Sequence, residues 1–279
     1  MRFPKFQRLR GFTLLELMVA MTLGSLVTLS VLTLYIGASR SYAQEELYAL
    51  LQQNGRYALK VLGKDLAMAD FWGQVMSTDT ISASFTVVGT DCAVGVDAYN
   101  ASNALLFNNY HESPTQTHFV PCALVQDNLL PNTDVIFIKR VEGAPTAETV
   151  DGTVYLRTNG TDGSLLNNAP AIAQTVGQSD WRYIPRIYFV RDYLDTSGDG
   201  IPALCRIGLD DTSLSDIQCL AEGVEDLHLQ FGIDSDIDGV ANRYSATPSA
   251  SEMDDVVAVR IYVLVRSNAP NPHYTNAKT

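Results

Sequence analysis

One carboxylate constrains this chain more than any other residue. Glu16 is the only formal charge between Phe12 and Gly37, in an otherwise almost uninterrupted apolar run. Twenty or so apolar residues are enough to cross a bilayer core. A carboxylate inside such a span costs about 2.5–3.5 kcal/mol on insertion scales. A chain that keeps the charge at this depth has a use for it. Ahead of the run lies a basic leader with Arg2, Lys5, Arg8 and Arg10 and no acid, ending at Gly11. A secretory signal would have an apolar region of about 7–15 residues with its small-residue cleavage site behind it. Here the run is longer and the small residue precedes it. A plain signal-anchor would fit the length but leaves Glu16 unexplained.

Gly11-Phe12-Thr13-Leu14-Leu15-Glu16-Leu17-Met18-Val19-Ala20 resembles the class III signal of type IV prepilins and their pseudopilin relatives. The resemblance implies cleavage between Gly11 and Phe12 by a prepilin peptidase and N-methylation of Phe12. It also implies that Glu16, fifth in the mature chain, pairs with the α-amine of Phe12 on a neighbouring subunit and sets the register of assembly. An intramembrane acid is expected to have a cationic partner in any case. No charge follows Glu16 until Arg40, so the basic leader orients the N-terminus to the cytoplasm and the rest outside.

The net charge is −12. Removing the four basic leader residues makes the mature chain −16, the opposite of a nucleic-acid-binding footprint. The four cysteines are Cys92, Cys122, Cys205 and Cys219. An even number in an exported domain points to disulfides, with three pairings open. Cys92–Cys122 and Cys205–Cys219 are favoured because each closes a local loop. No CxxC occurs, which argues against zinc or redox chemistry.

Beyond Arg40, apolar residues recur at helical spacing: Leu47, Leu50, Leu51, Ala58, Val61, Leu62, Leu66 and Ala69. No proline interrupts Phe12–Trp72. One helix over this stretch would be about 90 Å long, with Gly37 and Gly55 as weak points costing about 1 kcal/mol each relative to alanine. Leu51-Gln52-Gln53-Asn54-Gly55-Arg56-Tyr57-Ala58-Leu59, Asp65-Leu66 and Ala69-Asp70-Phe71-Trp72-Gly73 resemble the PilW-type minor pilins of the type IV pilus. So do Gly223–Leu227, Gln230–Asp234 and Asp255–Ser267 near the other end.

From Trp72 on, the pattern is β. Expected strands are Ile81–Val88, Ala104–Asn108, Asp134–Val141, Thr153–Thr158, Tyr183–Val190, Ala203–Gly208, Val224–Phe231 and Val256–Arg266. Leu227, Leu229 and Phe231 alternate with Asp226, His228 and Gln230. Val257, Val259, Ile261, Val263 and Val265 form one face of the last strand, with Arg260 and Arg266 opposite. Such alternation marks half-buried antiparallel strands. Gly143–Gly152, Asn159–Asn168 and Ala246–Asp254 read as loops. The fold class is therefore α+β, a long N-terminal helix packed on a C-terminal antiparallel sheet. The expected organisation is leader 1–11, apolar helical half 12–37, amphipathic helical half 38–72 and a periplasmic β-rich domain 73–279.

Asp234, Asp236, Asp238 and Gly239 begin like a calcium loop, and Asp195, Ser197, Asp199 and Gly200 form a looser version. Alternate oxygen ligands around a tight turn suit a hard cation. Position twelve, a glutamate in the full motif, is Ser245 in one and Arg206 in the other. Glu225, Asp226 or Asp254 would have to supply the missing ligand. Calcium is thus the one cofactor to consider. His111, His118, His228 and His273 lack ligand spacing, and no nucleophile-elbow, zinc or phosphate-loop motif appears, so catalysis is not expected.

The PilW-type resemblance implies a minor pilin that takes part in pilus initiation, adhesion or twitching motility. Its partners would be other minor pilins, the major pilin, the prepilin peptidase and the inner-membrane assembly platform. It would sit single-pass in the inner membrane and then in the surface filament. A minor pseudopilin of type II secretion would share the signal. A membrane-anchored periplasmic binding or enzymatic domain would share only the anchor.

Overall fold

The computed structural model describes residues 11–83, 105–108, 125, 128–210, 213–214, 216–249 and 251–268. Helix α1 spans Leu14–Leu66. The chain divides after Leu50 into two compact units. Up to there the apolar side chains of α1 are exposed, except the half-buried Leu47. In the second unit, the last turns of α1 contribute Ala58 and Leu62 to a core. The helix continues through Gly37 and Gly55. At Gly55 an added Cβ would lie 3.3 Å from Val265 Cγ2, so the glycine admits a strand against the helix.

The helix ends six residues before the expected Trp72. Tertiary pairing takes over: Asp70 N–H donates to Lys139 O, and Phe71 O accepts from Val141 N–H. Backbone groups claimed by a strand edge are lost to the helical ladder. Asp70 takes a left-handed conformation, φ 63°, and its carboxylate accepts the Trp72 indole N–H at 2.8 Å.

Among the described residues, twelve strands follow: β1 (Ile81–Ala83), β2 (Leu105–Asn108), β3 (Val135–Val141), β4 (Tyr155–Thr158), β5 (Gly163–Leu166), β6 (Ser179–Arg191), β7 (Ala203–Asp210), β8 (Ser213–Leu214), β9 (Gln218–Glu222), β10 (Val224–Ile233), β11 (Arg243–Ser245) and β12 (Val256–Val265). Nine form one sheet along the path β1-β5-β4-β6-β3-β2, with β7 on β6, and β8 and β9 on β7. The other three form a separate sheet, β11-β10-β12. All described pairings are antiparallel except β1 with β5. The one antiparallel sheet of the sequence reading is therefore two sheets, one of them mixed.

Strand β5 falls inside the expected Asn159–Asn168 loop. Asn159 Oδ1 accepts the amides of Thr161 and Asp162, closing a tight turn that returns β5 onto β4. Four residues with a glycine and a serine carry too little alternation to be read as a strand. Strands β8, β9 and β11 escaped for the same reason. Of the expected strand Ile81–Val88, the part from residue 84 lies outside the described residues.

Strand β6 organises the larger sheet. One edge pairs with β3. The other pairs with β4 along Ser179–Arg182 and with β7 along Arg186–Arg191. Pro185 lies in the interval between them. It has no N–H to extend the β7 ladder. Alternate faces of β6 feed two cores. Trp181, Tyr183, Ile187 and Phe189 pack with Trp72, Phe137, Val141 and Leu156. Tyr188 and Val190 pack with Ala58, Leu62, Ile136, Ile138, Leu227, Leu229 and Phe231. The α1 stripe and the apolar face of β10 meet in this second core, as the alternation predicts. Val257 departs from the predicted face. The register slips between Gly232 and Ile233, and Val257 is exposed while Val259, Ile261, Val263 and Val265 pack inward.

Cys205 and Cys219 are directly paired across β7 and β9 and form a disulfide closing a separation of 14 residues. Cys92 and Cys122 lie outside the described residues. A loop of this size is worth about 3 kcal/mol in the chain-entropy estimate. Replacing both Cys205 and Cys219 by alanine should lower stability by about that amount, read as a shift in the urea midpoint of the detergent-solubilised chain. A midpoint insensitive to reductant in the unmodified protein would contradict it.

Candidate functional site

The first turn of α1 gives Glu16 a local role that residue types alone did not disclose. Thr13 Oγ1 accepts the Glu16 amide at 3.2 Å, and Glu16 Oε2 accepts the Thr13 amide at 3.3 Å. This is a reciprocal capping box, signalled by Thr13-Leu14-Leu15-Glu16. It satisfies two of the amides that a helix start leaves open. Phe12 precedes the box and is 86% exposed; Gly11 is also exposed.

The hydroxyls along the apolar run are satisfied within the helix. Thr22, Ser25, Thr28, Ser30 and Thr33 each donate to a carbonyl three or four residues back. A lipid-facing helix must satisfy its polar groups this way. Among the described residues, α1 is the one helix long and apolar enough to cross a membrane.

At the other end of α1 lies a buried charge cluster. Asp65 sits on the apolar stripe, one residue before Leu66, and is 1% exposed. Its Oδ1 accepts Arg140 Nη2 at 2.7 Å and Nε at 3.2 Å. Its Oδ2 accepts Arg186 Nη1 at 2.7 Å and the Tyr188 hydroxyl. One carboxylate thereby ties the last helical turn to β3 and β6. Burial raises the Asp65 pKa, but the hydrogen bonds from Tyr188, Arg186 and Arg140 outweigh it and hold the carboxyl below its ordinary value. Burial and Asp65 together push the Tyr188 phenol up to about 12. A second pair, Arg157 with Asp180 at 2.7 and 2.8 Å, is equally buried between β4 and β6.

The aspartates read as a calcium loop do converge. Carboxylate oxygens of Asp234, Asp236 and Asp238 lie within 4.8 Å of one another. Asp234 is buried and the other two are exposed. Asp234 Oδ1 accepts the amides of Asp236 and Ile237, and Oδ2 accepts that of Gly239. Burial opposes ionisation there, yet the amides of Gly239, Asp236 and Ile237 keep the carboxyl below its ordinary value. Asp199 is built alike, gathering the amides of Leu194, Asp195, Thr196 and Ile201. The Ile201 and Asp195 amides lead in lowering its pKa. Ser245 and Arg206, at the twelfth positions, lie in β11 and β7. Of the four histidines only His228 is described; its Nδ1 lies 3.2 Å from Asp134 Oδ2.

An apolar N-terminal helix opened by this capped Glu16 and followed by a β-domain is consistent with a membrane-anchored, type IV pilin-like chain. Comparison with known families agrees. The Prokaryotic N-terminal methylation motif matches residues 7–32, and the family model of the Type IV Pilus-assembly protein W matches residues 187–279, from β6 through β12. The two matches together support a type IV pilus minor pilin of PilW type. No curated protein and no solved structure matches the chain.

Removing the Asp65 carboxylate strands two guanidinium groups, one nearly buried and one partly exposed. Asp65→Ala should destabilise the protein by about 3–5 kcal/mol. Arg140→Ala should cost more than Arg186→Ala, since Arg186 reaches solvent. Because the folded pKa lies below the unfolded value, the contribution is complete above about pH 4 and disappears as pH falls through the folded pKa. Denaturant midpoints of the three variants against pH check both the order and the sign.

Proposed function

We propose that this chain is a minor pilin that initiates or primes the type IV pilus and resides in a priming or tip complex. The carrying observation is the co-occurrence, in one chain, of the methylation motif at residues 7–32 and the pilus-assembly family match at residues 187–279. The first accounts for an N-terminal helix led by a cleavable leader; the second favours a pilus over a secretion system. The proposed sequence of events begins with peptidase cleavage between Gly11 and Phe12 and methylation of the new amine. The Glu16 carboxylate then meets the Phe12 amine of a neighbouring subunit. The apolar helix moves from lipid to a filament core at small net cost, since both surroundings are apolar. The role is assembly, with other pilus components as partners, and non-enzymatic. The anchored β-domain lies outside the inner membrane until the subunit enters the filament.

Mass spectrometry of sheared surface filaments and inner membranes from the same cells tests this reading. N-methylated Phe12 as first residue in the filament fraction is the expected result. An intact Arg10-Gly11-Phe12 junction in both fractions would overturn it.

The capping box sharpens the test of Glu16. Glutamine can cap like glutamate but carries no charge. If pairing with an amine drives assembly, Glu16→Gln and Glu16→Ala both abolish filament incorporation while cleavage proceeds. If capping is the whole role, Glu16→Gln incorporates normally and only Glu16→Ala fails.

A further inference from the structure

The interval in β6 between its β4 and β7 partners opens a cleft of about 250 Å³. Arg182, Tyr183, Ile184, Pro185 and Arg186 line it from β6. Arg206 and Gly208 enter from β7, Gln218 from β9 and Glu142 from the end of β3. Three guanidinium groups therefore converge in a chain whose net charge is −12. Their commitments differ. Arg186 gives one nitrogen to Asp65. Arg206 donates to the neutral Gln218 Oε1 at 3.0 and 3.3 Å. The exposed Arg182 guanidinium makes no hydrogen bond or ion pair among the described residues. Glu142 is the lone acid on the wall.

We infer that this cleft is a recognition site for an acidic side chain of a partner polypeptide. Arginine forks match carboxylates with paired N–H donors. A concave site concentrates their field against an acidic background. Three features select a peptide carboxylate over a polyanion. The volume suits one side chain rather than a chain of phosphates. Ile184, half-buried between Arg182 and Arg186 on the same face of β6, suits the methylene stem of a glutamate. Glu142 repels a multiply charged group while leaving room for a monoanion. The inference stands on the cleft itself and is independent of pilus assembly.

The test is calorimetric titration of the full chain in detergent with a short capped peptide carrying two glutamates. The same peptide with glutamines and inorganic phosphate serve as the comparison probes. The glutamate peptide should bind, weaken as salt rises from about 0.05 to 0.5 M, and lose about tenfold or more in affinity with Arg182→Ala. Arg182→Ala removes an exposed side chain outside the Asp65 cluster, so an unchanged denaturant midpoint certifies the fold. The glutamine peptide and phosphate should bind at least tenfold more weakly to the unmodified protein. Failure of the glutamate peptide to bind, equal binding of the glutamine peptide or of phosphate, or an unaffected Arg182→Ala would each overturn the proposal.

Discussion

A single buried carboxylate organises the second unit. Asp65 stands where α1 stops being a helix, and its two oxygens reach β3 through Arg140 and β6 through Arg186 and Tyr188. An acid on an apolar stripe costs desolvation unless its lone pairs are filled with good geometry. Here they are filled by two cations and a phenol. Slippage of the helix by one residue would rotate Asp65 off its partners and Leu62 out of its core. Hydrophobic contacts alone tolerate such slippage; four directional hydrogen bonds do not. The cluster thus fixes the register of helix on sheet, and the residues around it supply the burial.

The sequence conveyed the parts governed by periodicity. The apolar run, the stripe through Ala58 and Leu62, and the alternation of β10 appear in the structure as read. Local pattern could not convey where tertiary pairing overrides it. The helix yields at Leu66 because β3 takes the backbone of Asp70 and Phe71. Val257 turns outward because the register slips opposite Ile233. Strand β5 is visible only through its partners. At the candidate site, Glu16 was conspicuous as a lone charge, but its reciprocity with Thr13 lay unremarked in a four-residue motif. Asp65 was hidden among polar residues; only its place on the apolar stripe, four residues after Val61, could have marked it.

The two aspartate-rich turns show one device used twice. In each, a carboxylate collects the amides of its own loop, so the acid acts as a template for the main chain. The spacing D-x-D therefore has a conformational meaning here in addition to the coordination chemistry it brings to mind. The Arg182 cleft is the converse. Its exposed Arg182 carries a charge opposite in sign to the chain's net −12.

The second core also imposes an order in time. Gly55 lies against Val265, and the Asn54 side chain donates to Glu222 O across 168 residues. The helix is among the first segments synthesised, and β12 is the last strand described. Contacts so remote in the chain carry a large loop-closure entropy and slow folding. Until the last strand is in place, Ala58 and Leu62 have nothing complete to pack against. A chain halted near residue 255 would hold a finished helix and an open core.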